Sequence, residues 1–146
     1  MIWTNTRRWR LPTAMLMVVM LSVVVVRCTL GKRAQQKREV RYQSALRLYS
    51  DALRPGITRL EVEEYLETRN VQFRQMCCVD GKDFSKGVYD DLTKIGEEDA
   101  PWFCSQKDVY IAFQFAGVRR GANSWDAFGT DTLKSVSIYR WLEGCL

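Results

Sequence analysis

From Leu11 to Val26 the chain carries no charged side chain and is broken among its apolar residues only by Pro12, Thr13 and Ser22. Arg7, Arg8 and Arg10 stand before this run, and Arg27, Lys32, Arg33, Lys37 and Arg38 follow it. Twenty residues from Leu11 to Leu30, wound as a helix at roughly 1.5 Å per residue, reach about 30 Å, the thickness of a bilayer's hydrocarbon core. Arginines at both ends can keep their stems in the apolar region and their heads in water. The pattern predicts a single membrane-spanning anchor over residues 11–30, with a short basic tail at 1–10 and a basic juxtamembrane helix start at 31–41.

Other readings of this segment compete with the anchor. A cleaved signal peptide wants small residues at its end, where Val25, Val26 and Arg27 stand instead. A lipoprotein signal wants a small residue before its cysteine, and Arg27 precedes Cys28. Arg7 and Arg8 form the twin arginines of a Tat signal, a weak pattern in so basic a region. Flanking charge bears on orientation: three arginines precede the run and six basic residues, including Arg41, follow it, which by count favours a cytoplasmic domain.

Charge is unevenly divided. Residues 1–41 hold nine basic side chains and one acid, leaving 13 basic and 16 acidic from Tyr42 onward, so the net +5 separates into +8 and −3. A mildly acidic domain has no electrostatic footprint for phosphate backbones, and nucleic acid is not expected as a partner. No histidine occurs anywhere, which removes Ser-His and Cys-His catalysis and His-ligated zinc. No cofactor and no small-molecule substrate are indicated.

Cys77, Cys78, Cys104 and Cys145 give the 105-residue region an even number of thiols. In an oxidising compartment this reads as two disulfides, and because a bond between neighbours Cys77 and Cys78 is disfavoured, both expected connectivities tie that pair to Cys104 and Cys145. Against the basic count stand the cysteines and the short three-arginine tail, which would be costly to translocate, so the domain is expected outside the cytoplasm. Four reduced thiols, or a four-thiolate zinc, are the alternatives; adjacent Cys77 and Cys78 lack the spacing for chelation.

After the anchor, Tyr42, Ala45, Leu46, Tyr49 and Leu53 recur at helical spacing, with Arg41, Gln43, Ser44 and Arg47 elsewhere. Only Thr29 and Gly31 interrupt the path from the anchor, so the two helices are expected to be nearly continuous. Pro55-Gly56 ends this helix. Thr58 and Glu61 then form a capping box, with Ile57 and Val62 as a hydrophobic staple, and Leu60, Val62, Tyr65 and Leu66 are expected to face inward. Asn70 is the expected stop. Beyond it the period becomes two: a strand through Val71, Phe73, Gln75 and Cys77, a second from Val88 to Ile95, a polar turn from Gly96 to Pro101, a third through Val109, Ile111, Phe113 and Phe115, and a fourth from Leu133 to Trp141. Residues 42–146 therefore form an α+β domain, and the chain as a whole reads as an N-terminal transmembrane helix followed by two helices packed on a four-stranded antiparallel sheet, in the order ααββββ.

The run from Leu53 to Leu66, with Gly56, Thr58, Glu61 and Val62, resembles the opening of the BamE-like (SmpA/OmlA) domain family, and the later strands with Phe113, Phe115, Val136 and Ile138 are similar to that family's sheet. The resemblance covers about Tyr42 to Trp141. It implies an envelope protein acting as a non-enzymatic assembly or binding module. The chain departs from the family in lacking a lipobox, in its four cysteines and in the length of the segment from Gly117 to Thr132.

Within that segment Arg119, Arg120, Trp125 and Phe128 are the residue types that anchor protein interfaces, or else fold back over the sheet edge. Arg33, Lys37, Arg38 and Arg41 suit contact with anionic lipid headgroups, or are an ordinary solvated face. Glu97, Glu98 and Asp99 with Asp90 or Asp91 lack a cation-loop spacing, and a solvated turn accounts for them better. Cys104 in Pro101-Trp102-Phe103-Cys104 has only Lys107 nearby to activate a thiolate. The expected protein is thus a single-pass membrane protein whose extracytoplasmic domain binds an envelope partner, against two rivals: a cytoplasm-facing regulator with reduced cysteines, and a carboxylate- or thiol-dependent enzyme.

Overall fold

In the computed structural model, residues 10–77, 79, 88–117 and 127–146 are described, with side chains from Met15 onward. They form helix α1 (Arg10–Ala52), helix α2 (Arg59–Glu67) and strands β1 (Arg74–Met76), β2 (Asp90–Glu98), β3 (Gln106–Ala116) and β4 (Thr132–Glu143). The expected α+β architecture is present, with the anchor and the first helix of the domain fused in one helix of 43 residues. Gly31 does not interrupt it. The Thr29 hydroxyl donates to the Val26 carbonyl at 2.9 Å, a local bond that leaves the helical path intact.

Two compact units divide the chain, residues 1–40 and 41–146. Among the described residues of the first, the Met15–Val26 side chains are exposed, and an 18-residue window of mean hydropathy 1.9 makes the helix here long and apolar enough to cross a membrane. In the second, the last turns of α1 bury Tyr42, Tyr49 and Leu53, spaced by seven and four residues on one helical face. Gly56 follows with φ +97°, a conformation open to glycine, and its N–H donates to the Leu133 carbonyl at 2.8 Å.

Helix α2 opens as its sequence dictates. The Thr58 N–H donates to Glu61 Oε2 at 2.7 Å while the Glu61 N–H reaches back to Thr58 Oγ1, closing the capping box. A hydrogen bond from the Thr58 hydroxyl to Glu61 Oε2 at 2.7 Å, together with the one from the Thr58 N–H, holds the Glu61 carboxyl below the usual carboxylate range. At the other end Asn70 takes φ 54° and the Val71 N–H donates to the Leu66 carbonyl, a left-handed stop of the expected kind. Val62 and Leu66 are buried, Tyr65 half so, but Leu60 is 63% exposed and its neighbour Arg59 is buried. Arg59, Val62 and Leu66 share one face at steps of three and four. Arg59 therefore takes the inward place expected of Leu60, because carboxylates wait for it there.

The sheet is an antiparallel meander in the order β1-β2-β3-β4. Its helix-facing side buries Ile111, Phe113, Phe115 and Leu133 against Tyr49, Leu53, Val62 and Leu66. The opposite side has a smaller cluster of Leu92, Tyr110 and Ala112 with Val79. Strand β2 extends through a bulge between Lys94 and Gly96 to Glu98, so the expected polar turn begins three residues later. A Cβ at Gly96 would lie 2.8 Å from the Tyr42 ring. Glycine is what lets α1 approach the sheet so closely, and the bulge re-aims the strand around it.

Candidate functional site

Strands β3 and β4 pair with Gln106 opposite Glu143. Continuing that antiparallel register by two residues brings Cys104 opposite Cys145, and these two are disulfide-bonded. The pairing corrects the expected connectivity. Cys77 is a free thiol just past β1, which is separated from β4 by two intervening strands and pairs Met76 with Asp90 at the far end of β2. Cys78 lies outside the described residues. Cys104, as half of a disulfide, is also no thiol nucleophile.

The staple builds a tip. Gly144, at φ +60°, turns the chain after β4, and a Cβ there would collide with the Ser105 side chain. The Ser105 N–H and hydroxyl both donate to the Glu143 carbonyl, at 3.0 and 2.9 Å, and the Leu146 N–H donates to the Phe103 carbonyl at 2.9 Å. The Cys104 N–H closes a turn on the Pro101 carbonyl. Held on this frame are Trp102, 91% exposed, and Phe103, 40% exposed, with ring centroids 5.8 Å apart and planes nearly perpendicular. An aromatic pair this exposed on a cross-linked frame is a candidate contact surface. Sequence pattern alone does not reveal it, because two adjacent aromatics beside a cysteine read equally well as core.

Below the tip, Glu97 and Glu98, expected as part of a solvated turn, are bound to side-chain cations. Lys94 Nζ lies 2.6 Å from Glu97 Oε1 and 3.0 Å from Asp108 Oδ1, and Glu98 takes Lys107 at 2.7 Å and Arg140 at 3.0 Å. Hydrogen bonds to Glu97 and Asp108 hold the Lys94 ammonium above the usual lysine range. Burial acts to raise the Glu98 and Asp108 carboxyls, but donors from Lys107 and Arg140 on the one, and from Lys94, Tyr110 and Gln106 on the other, leave both below the usual range. Arg74 Nη2 donates to the Tyr110 hydroxyl, which donates in turn to Asp108 Oδ2. Burial and the Asp108 carboxylate push the Tyr110 hydroxyl up. Among the described residues no group of three or more Cys, Asp or Glu could hold a metal ion.

A second ionic cluster lies inside the domain at the other end of the strands. Arg59 Nη1 donates to Asp91 Oδ1 at 2.5 Å, its Nη2 donates to the Tyr89 carbonyl, and its Nε is 3.4 Å from Asp131 Oδ2. The guanidinium lies 3.9 Å from the centroid of the Phe115 ring. Asp131 also accepts the Phe128 N–H at 2.9 Å. Burial pushes the Asp91 carboxyl up to about 7, against the downward pull of Arg59. With Arg59 and Asp91 at 1% and 0% exposure, the cluster meets no solute and fastens α2 to β2 and to the entry of β4.

Of the residues proposed as a protein-binding loop, Phe128 is half-buried, while Arg119, Arg120 and Trp125 lie outside the described residues. Arg33, Lys37 and Arg41 are exposed on α1, and Arg38 is half-buried there. No protein-family model, curated protein or solved structure matches the chain.

Proposed function

We propose that the protein is a single-pass envelope protein whose α+β domain stands outside the cytoplasm and serves as a non-enzymatic binding or assembly module for another envelope protein. The Cys104–Cys145 disulfide carries this reading, because such bonds persist in oxidising compartments. The apolar helix supplies the attachment. The likeness of Gly56, Thr58, Glu61 and Val62 to the BamE-like opening points the same way. Neither ionic cluster argues for catalysis: Asp91 is sealed in the core, and Asp108 and Glu98 are neutralised by cations they already hold. Arg119, Arg120, Trp125 and Phe128 are the proposed protein-binding segment, and Arg33, Lys37, Arg38 and Arg41 the proposed contacts to anionic headgroups.

Alkylation of thiols in intact cells before and after reduction, followed by peptide mapping, tests the placement. Cys104 and Cys145 protected until reduction support an extracytoplasmic domain. If both alkylate without reduction, the domain is a cytoplasm-facing one, as the positive-inside count of its flanks would have it.

A further inference from the structure

We propose that Trp102 and Phe103 insert into the interfacial region of the bilayer that holds the anchor, giving the domain a second membrane contact besides its tether. Contiguous exposed apolar surface marks interaction sites, and the frame of disulfide, Gly144 turn and backbone hydrogen bonds keeps this adjacent pair presented. What covers them follows from where they stand. The chain enters the second unit at Arg41, and the very next residue, Tyr42, donates its hydroxyl to the Glu97 carbonyl at the end of β2. The tip and the tether thus share one end of the domain.

Lengths agree with this. Val109 pairs with Gly96 beside Tyr42, and β3 runs from there to Gln106, about 10 Å at roughly 3.3 Å per residue, with the tip beyond it. The connector from Gly31 to Val40 is ten helical residues, about 15 Å. Ten residues of connector limit how far the end of the domain that carries the tip can stand from the bilayer. Tryptophan is favoured at the membrane–water interface, phenylalanine serves beside it on the apolar face of interfacial segments, and tethering makes even a weak contact effectively intramolecular. Glu97 and Glu98 below the tip are matched by Lys94, Lys107 and Arg140, which fits a zwitterionic headgroup layer. This contact needs the anchor but neither sidedness nor a protein partner, so it stands or falls separately from the proposed function.

The test uses the full chain in phosphatidylcholine vesicles whose acyl chains carry bromine near the headgroup. Subtracting the emission of Trp102→Phe from that of the unaltered chain isolates Trp102 from the other four tryptophans. The difference emission is expected to fall at least about twofold when plain lipid is replaced by brominated lipid, and to resist aqueous iodide. Emission indifferent to bromine and quenched by iodide would overturn the proposal. A photoreactive benzoylphenylalanine at position 102 in cells gives a second reading: a lipid adduct supports it, whereas a protein adduct, or none, assigns the tip to a protein or to water.

Discussion

At one end of the strands the domain hides three ionised or ionisable side chains, Arg59, Asp91 and Asp131, and at the other it displays two aromatic rings, Trp102 and Phe103. Each region inverts the usual partition of charge outside and apolar surface inside, and each does so through a different device. The buried ions are held by one another and by a carbonyl and an aromatic face, all of which exist only in the folded chain. The exposed rings receive little from packing and depend on a covalent staple and a glycine turn to stay where they are. Stability is thus expected to be concentrated at the Arg59 end, and contact with the bilayer at the tip.

Arg59→Met breaks the first half of this comparison. The apolar stem is kept, but Asp91 and Asp131 lose their shared cation while still buried, and removing one partner of a buried pair typically costs about 3–5 kcal/mol. Urea unfolding of the full chain in micelles, followed by near-ultraviolet circular dichroism, should show a loss of that size. A loss under about 1 kcal/mol would mean that the cluster is not what fastens α2 to the sheet.

Acidity separates the two ends with opposite signs. Asp91, raised to about 7 in the fold from 3.8, binds its proton more tightly folded than unfolded. Its contribution is fully present below about pH 4 and is lost as pH rises toward 7, by a few kcal/mol at about 1.4 kcal/mol per unit. Glu98 and Asp108 near the tip are lowered, so their contribution is present above their unfolded values and is lost as pH falls through the folded ones. The stability of the whole chain should therefore decline between about pH 4 and 7, and Asp91→Asn should flatten that decline while leaving the acid limb in place. A profile that rises across this window would put the Asp91 carboxylate firmly in its ionised form beside Arg59.

Much of this framework can be read from residue patterns and some cannot, for reasons that differ by region. Thr58, Glu61, Ile57 and Val62 announce the start of α2 because capping and stapling are local, and alternation at Val109, Ile111, Phe113 and Phe115 announces β3 because one face meets a core. Arg59 is not legible in that way: its partners are 32 and 72 positions distant, and hydrophobic periodicity assigns an arginine beside Leu60 to solvent. Nor is the end of β2, where Gly96 reads as a turn but serves a close approach by Tyr42. The disulfide becomes legible only once the register of β3 and β4 sets Cys104 opposite Cys145. Assuming that all four thiols pair sent Cys77 to the wrong partners.

Trp102→Ala is the smallest expected effect and the one that sharpens the comparison most. With 91% of its surface exposed, the side chain has little to lose on unfolding, and a surface substitution of this kind shifts stability within about 0.5 kcal/mol. The Cys104–Cys145 bond and the Leu146-to-Phe103 hydrogen bond involve neither the ring nor its Cβ, so the frame should persist without the tryptophan. Unfolding in micelles should accordingly leave Trp102→Ala within error of the unaltered chain. In vesicles the same substitution should loosen the domain against the bilayer, seen as faster backbone amide exchange across residues 99–105. A stability loss comparable to that of Arg59→Met would instead show that the rings are structural, packed on the domain in solution, and that the tip is a cap on the sheet rather than a surface held out for a membrane.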